Sequence, residues 1–231
     1  MLAAASGDPW AEAEILEQLA LLYGYAGRFA DARAACQRAQ AVFTGCGAKL
    51  DWEMCAIDSG RVELIAGDHV AAERTLKEGY EAFRAMGEHG YRATLVTLLA
   101  EAVYAQGRFD EALRLTEEAE AFAGADDVEA QARWRATRAK LLARRGQPGA
   151  AARLADEAVA LIPAAVDAPE RAEFLVAKAE VSRLAGAFGE AEASLRRALQ
   201  FYDDRRWLPL AEQARALLAG LAAQTRTRAE Q

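Results

Sequence analysis

The side chains best suited to chemistry are few and far apart. The two histidines, His69 and His89, have no Ser or Cys at a spacing that would pair a nucleophile with its base. The three cysteines, Cys36, Cys46 and Cys55, form no C-x-x-C pair, and with two histidines they make no zinc set. They read as reduced thiols packed as small apolar groups. Paired carboxylates such as Glu117-Glu118 and Asp203-Asp204 are sequence neighbours, so on a helix they point to different faces and serve solvation. No G-x-x-x-x-G-K-[ST] phosphate loop is present. The sequence therefore leads us to expect neither an enzyme, nor a metal, nor a cofactor.

Charge is the remaining chemistry. Arg133, Arg135, Arg138, Lys140, Arg144 and Arg145 form a dense basic run, in which Arg133 and Lys140, seven apart, share a helix face. One reading is a cationic pocket for a peptide carboxylate, a phosphorylated ligand or an acidic partner segment. The other is that Arg133 and Lys140 pair with Glu101, Glu173 and Glu180 on adjacent helices, where exposed pairs add little stability. Nucleic acid is not expected as a partner. The run winds around its helix, acidic stretches flank it, and the 231-residue chain has a net charge of −7 and a pI of about 5.1.

The elements that position these groups announce themselves by a period. Gly27, Gly67, Gly107, Gly146 and Gly186 recur at intervals of 40, 40, 39 and 40 residues. Each opens a similar segment, as in Gly27-Arg28-Phe29-Ala30-Asp31-Ala32, Gly107-Arg108-Phe109-Asp110-Glu111-Ala112 and Gly186-Ala187-Phe188-Gly189-Glu190-Ala191. His69 holds the turn position of Phe29, Phe109 and Phe188, which makes it a packing residue. A fixed period in this range means a repeat architecture. The flanking apolar residues are spaced three and four apart, so each unit is a helical hairpin reversing at its glycine. Asp8-Pro9 opens the first helix as a cap followed by a permissive Pro. Asp126 and Glu129 have capping-box spacing, and Asp167-Ala168-Pro169-Glu170 is a further helix start. Gly45 and Gly47 break the chain after the second helix.

Three columns of small residues appear when the units are aligned on the turn glycine. Seven positions before it stand Ala20, Gly60, Ala100, Ala139 and Ala179. Five after it stand Ala32, Ala72, Ala112, Ala151 and Ala191. Twelve after it stand Ala39, Gly79, Ala119, Ala158 and Ala198. Such columns set a contact distance: only small side chains let helices approach closely. Trp134 falls in register with Leu95 and Phe174 and is expected in the core.

A small residue, turn glycine, aromatic and small residue at these offsets resemble the tetratricopeptide repeat, in a long form of about 40 residues. Gly60–Asp68, Asp126–Arg135 and Arg138–Gly146 further resemble the C-terminal repeat region of bacterial proteins that join a class III adenylate/guanylate cyclase domain to an AAA-type ATPase. No cyclase or ATPase activity carries over, because this chain has neither core; it reads either as a fragment or truncated paralogue of such a protein or as a stand-alone repeat protein. The resemblance implies an all-α, right-handed α-solenoid of about five hairpins plus a C-terminal capping helix. The expected repeats span about 9–46, 48–87, 88–124, 126–163 and 167–205. A capping helix over 208–223 completes one domain of residues 1–225, and 226–231 form a disordered tail.

The resemblance also places a concave groove on the first helices, at positions thirteen, ten, six and three before each turn glycine. These include Glu14, Glu17, Met54, Ile57 and Thr94. The residues singled out for partner binding are Arg61, Thr97, Glu101, Tyr104, Arg133, Lys140, Glu180 and Arg183. The expected function is a non-catalytic interaction or regulatory module of a bacterial signalling or transcriptional protein, with a protein or peptide as partner. A small-molecule sensor using the same groove is the alternative. No apolar run approaches the ~20 residues needed to span a bilayer, and no secretory signal is visible; the expected location is the cytoplasm. The sequence sets no oligomeric state.

Overall fold

The computed structural model describes residues 8–86, 91–162 and 169–229, and all the regular structure among them is helical. His89 and the Asp167 cap lie outside the described residues. Eleven helices follow in chain order: α1 (Pro9–Tyr25), α2 (Phe29–Cys46), α3 (Lys49–Ala66), α4 (His69–Met86), α5 (Arg92–Ala105), α6 (Phe109–Phe122), α7 (Val128–Arg144), α8 (Pro148–Leu161), α9 (Pro169–Leu184), α10 (Phe188–Asp204) and α11 (Leu208–Ala229). They fall into two compact units, Met1–Arg108 and Phe109–Gln231. In the first, α1 packs on α2, α3 on α4, and the first helices α1, α3 and α5 touch in succession. In the second, α7 packs on α8, α9 on α10, α7 on α9, and α11 on α10.

The hairpins close by one device. Gly27, Gly67, Gly107, Gly146 and Gly186 all adopt a left-handed backbone, with φ between 73° and 80°. The amide after each glycine reaches back five residues to a helix carbonyl: Arg28 N to Tyr23 O at 2.8 Å, Asp68 N to Glu63 O at 3.0 Å, Arg108 N to Val103 O at 3.3 Å, Gln147 N to Leu142 O at 3.0 Å and Ala187 N to Ser182 O at 2.8 Å. This is the Schellman closure, which satisfies carbonyls at a helix C-terminus and favours Gly because a side chain crowds that conformation. The turn into α11 makes the same bond, Trp207 N to Tyr202 O at 2.9 Å, with Arg206 at φ 56° where the other turns use glycine.

Several helix ends differ from expectation, each for a local reason. Gly47, not Gly45, takes the left-handed cap of α2 (φ 70°), so the helix runs on to Cys46. Asp127, not Asp126, caps α7, its carboxylate accepting from Ala130 N at 3.0 Å. The expected tail over 226–231 is helical through Ala229. Thr225 and Thr227 bond back to the carbonyls of Leu221 and Ala223, and the Arg228 guanidinium sits 5.7 Å from the Phe188 ring centre. The Asp8 cap is as expected, accepting from Trp10 N at 3.0 Å.

All fifteen small-column residues are buried. Two are glycine because even a methyl group does not fit. A Cβ on Gly79 would lie 2.6 Å from Ala56 Cβ, and one on Gly60 would lie 2.5 Å from Leu76 Cδ2. At Gly60 the clash also reaches Leu76 Cγ at 2.6 Å, which rotation of the terminal methyls does not relieve, and at Gly79 Ala56 has no torsion to turn. In the second unit, Ala139, Ala151, Ala155 and Val181 form one such contact, where α9 closes over the α7–α8 hairpin.

Three packing variants test these contacts. Gly79→Ala should destabilise, because overpacking costs ~1–3 kcal/mol against a helix-propensity gain of ~1 kcal/mol. Gly60→Ala should also destabilise, since its methyl meets Leu76 Cγ as well as Cδ2, and Ala151→Leu should destabilise as overpacking does. Urea denaturation of the three variants checks this, and equal midpoints for Gly79→Ala and wild type would refute the contact-distance argument.

Candidate functional site

In the first unit, the expected contact residues divide sharply. Thr97 is wholly buried, and its hydroxyl donates to the Thr94 carbonyl at 2.7 Å. Tyr104 is 7% exposed. Neither presents a contact surface, so both are corrections to the expected groove. A threonine can satisfy its hydroxyl on its own helix and so enters a core at low cost. Arg61 and Glu101 are half-buried and engage other groups.

Two thiols of this unit, Cys36 and Cys55, are buried, whereas Cys46, expected to pack as a small apolar group, is exposed. Cys55 Sγ donates to Glu17 Oε1 at 2.9 Å. Burial, then Glu17, pushes the Cys55 thiol far up, and burial raises Cys36 too. A nucleophile or metal ligand needs the thiolate, which this setting suppresses.

Glu73 ties the start of α4 to the end of α5. It accepts from Arg108 at 2.6 Å, Gln106 at 2.7 Å and Lys77 at 2.5 Å. Burial opposes its charge, but these hydrogen bonds outweigh burial and hold the carboxyl at about 2. A polar cavity of about 370 Å³ opens elsewhere in the unit, among α2, α3 and α4. Arg33 and Glu63 meet in it through two bonds, at 2.8 and 2.6 Å.

In the second unit, ion pairs consume most of the basic run. Arg133 is 2% exposed and lies between Glu129, at 2.9 Å on its own helix, and Glu173, at 3.0 Å on α9. Its charge is therefore a buried strut between α7 and α9 and is withdrawn from any partner surface. Glu173 is the acid that the ion-pair reading offered it. Arg135 and Arg138 flank the Trp134 ring at 4.2 and 4.4 Å and pair with Glu157 and Glu120. Trp134 is in the core, at 4% exposure. Arg144 pairs with Glu180 at 2.8 Å and Arg145 with Asp110 at 2.6 Å. Lys140 is half-buried and engages other groups.

Glu170 stands near this strut. Burial, then the neighbouring Glu173 and Glu129, pushes its carboxyl up, with Arg133 opposing.

Glu180 and Arg183 come together. Both line a cleft of about 190 Å³ between α9, α10 and α11, whose other walls are Val176, Ala179, Ala191, Leu195, Leu217 and Leu221. Leu217 is 46% exposed. Among the described residues, Arg183 has no ion-pair partner. The sequence reading missed the α11 half of this cleft. The signal was present: Leu217 and Leu221 stand 40 residues after Ala177 and Val181, which makes α11 a sixth first helix in register.

No group of three or more His, Cys, Asp or Glu among the described residues is arranged to hold a metal ion. No helix among them is long and apolar enough to cross a membrane.

No protein-family model and no curated protein matches the chain. Solved structures do. NprR in complex with its cognate peptide NprX matches with a TM-score of 0.67 and 16% identity, over 97% of this chain and 65% of that one. A Rap protein complexed with Competence and Sporulation Factor matches with a TM-score of 0.62 and 14% identity, over 94% and 65%. TTC0263, a thermophilic TPR protein of Thermus thermophilus, matches with a TM-score of 0.59 and 20% identity, over 91% and 99%. The fold is that of the tetratricopeptide-like α-solenoids. The chain spans 65% of the NprR and Rap chains it matches.

Two carboxyls give opposite pH signatures. The folded pKa of Glu73 is depressed, so its contribution is present above the ordinary 4.5 and lost as pH falls through about 2. Glu73→Gln should lower stability at pH 7, and the deficit should vanish at the acid end of the window. The folded pKa of Glu170 is raised, so ionisation costs stability at neutral pH and nothing below 4.5. Glu170→Gln should stabilise at pH 7, with the gain closing below 4.5. Denaturation curves across pH decide both, and a Glu170→Gln gain that persisted in acid would contradict the burial argument.

Proposed function

We propose that this protein is a non-catalytic interaction module of a bacterial signalling or transcriptional regulator that binds a peptide or protein on the faces of its first helices. The observation that carries the reading is the cleft beside α9, which gathers Glu180, Arg183 and apolar side chains on one first-helix face. The scaffold positions are small and buried, whereas Arg61, Glu101, Lys140, Glu180 and Arg183 differ from unit to unit and reach the surface in part. Constant packing with variable faces is how one repeat serves different ligands. Two of the matched structures are complexes, NprR with its cognate peptide and the Rap protein with Competence and Sporulation Factor. A cytoplasmic location, residues 1–225 as one continuous repeat domain, and a larger cyclase/ATPase-type parent belong to the same proposal.

A small-molecule sensor is the second reading. It is favoured by the polar cavity of about 370 Å³ among α2, α3 and α4, a size within the ~300–1,000 Å³ of ligand pockets. The two readings part in one comparison. Wild-type protein and a Lys140→Glu/Arg183→Glu variant are immobilised and exposed to lysate of the source organism, with bound proteins identified by mass spectrometry. Loss of a defined partner in the variant is the expected outcome. Identical captured sets, together with a thermal shift on a metabolite panel, would transfer the function to the polar cavity.

A further inference from the structure

The outer side of α1 breaks a rule that the later first helices keep. α1 packs on α2 and α3 and leaves one side open. Ala11, Ile15, Gln18, Leu19, Leu22 and Ala26 stand there, spaced three and four apart, so they form one stripe. None of the six is buried. Ile15 is 44% exposed and Leu22 59%. The stripe carries no charge.

The same register positions are covered in the other first helices. In line with Ile15 stand Cys55, Leu95, Trp134, Phe174 and Ala214. In line with Leu22 stand Val62, Ala102, Leu141, Val181 and Leu221. All of these are at most 4% exposed. In each case the second helix of the preceding hairpin packs on that first helix: α2 on α3, α4 on α5, α6 on α7, α8 on α9 and α10 on α11. These two positions are where the repeat seats a helix. In α1 they are aliphatic and open, and exposed apolar side chains gathered on one stripe mark an interaction surface.

Two features say what covers it. The first is order. About the midpoint between Gln18 and Leu19 the stripe reads alike in both directions, with Ala26 answering Ala11 and Leu22 answering Ile15. A contact between two copies across a two-fold axis needs that self-complementarity. The second is charge. The exposed side of α11 carries Glu212, Arg215 and Arg226. A head-to-tail contact of α11 on α1 would strand those charges against an uncharged stripe.

We propose that α1 is the interface of a homodimer, in which two copies of this chain lay these stripes together antiparallel about an axis near Gln18 and Leu19. Ile15 of each copy then packs against Leu22 of the other. A parallel pair would instead bring the two Glu14 carboxylates together, and like charges repel. The proposal goes beyond peptide binding and does not depend on it.

Sedimentation velocity on the full chain, from about 1 µM to about 1 mM, tests this, because one helix face per copy makes a small and therefore weak interface. A concentration-dependent shift from monomer to dimer is expected. Ile15→Glu and Leu22→Glu should each weaken the dimer at least about tenfold. Both side chains are exposed in the single chain, so the melting temperature of the monomer should stay the same. Val70→Glu, at a 67% exposed valine of α4, should leave the dimer unchanged. For orientation, Ala11→Cys and Ala26→Cys chains are mixed under mild oxidation, each in a Cys46→Ser background. The mixed disulfide should form, and neither chain alone should link. A monomer at every concentration, or a dimer indifferent to both glutamates, would overturn the proposal, and a monomer would assign the stripe to a helix of different sequence. Linking of each chain with itself would overturn the antiparallel arrangement.

Discussion

Helix contact distance is the constraint on which this structure depends. Within each compact unit, hairpin partners and successive first helices come close together, and the three stations are held by buried Ala or Gly. Alanine buries little apolar area, so no single contact of this kind contributes much by desolvation. The gain comes from many close atom pairs, each worth ~0.1–0.2 kcal/mol, and it is forfeited when one side chain is too large. Gly79 shows how tight the tolerance is, with an added methyl 2.6 Å from Ala56 Cβ. Larger residues such as Leu76, Phe83, Phe174 and Tyr202 can be fully buried only because the small stations set the spacing into which they fit.

Electrostatics follows from the same geometry. Closely packed helices bring charged residues of neighbouring turns within reach, so acids and bases find one another without a dedicated site. Arg133 is the clearest case. Its groove-side position would suit a ligand, yet it is buried between Glu129 and Glu173. A buried charge stripped of both acids would be costly, which fixes the α7–α9 register as much as it adds stability. Glu73 and Glu170 mark the two sides of the balance. The first is buried with three donors and stays ionised, and the second is half-buried near two other carboxylates and resists ionisation.

What was legible in the sequence is what repeats. The turn glycines, the small columns and the hairpin order could all be seen, because five copies of one solution stand above the background of a single sequence. What failed were decisions between near-equivalents. Gly45 and Gly47 differ only in which takes the left-handed cap, and Asp126 and Asp127 in which reaches the first amides. Such choices turn on a few backbone angles that composition does not encode. The candidate site was less legible for a related reason. Position relative to the turn glycine fixes which face a residue occupies, but not how deeply the neighbouring helix covers it. Thr97 and Arg133 were on the expected face and buried there, whereas Glu180 and Arg183 remained at an opening.

That opening lies beside the last helix, whose preceding turn differs from the hairpin turns in its residue. Arg206 takes the left-handed conformation that glycine takes in the five hairpin turns, at a cost of about 1 kcal/mol or more for a residue with a Cβ. The aromatic cluster around it offsets that cost. Trp207 lies edge-on to Phe201 at 5.5 Å and stacked on Tyr202 at 6.2 Å, and Arg205 covers Phe201 at 3.7 Å. The Trp207 contacts join the start of α11 to the end of α10, and further along α11 shares buried clusters with α9, Ala211 and Ala214 with Ala172 and Leu175, and Leu221 with Ala179. The start of the last helix is thus anchored to the second helix of its neighbouring hairpin, and Glu180 and Arg183 line the cleft that remains beside Leu217. In a chain whose regular positions are committed to packing, binding chemistry is to be sought where the regular packing stops.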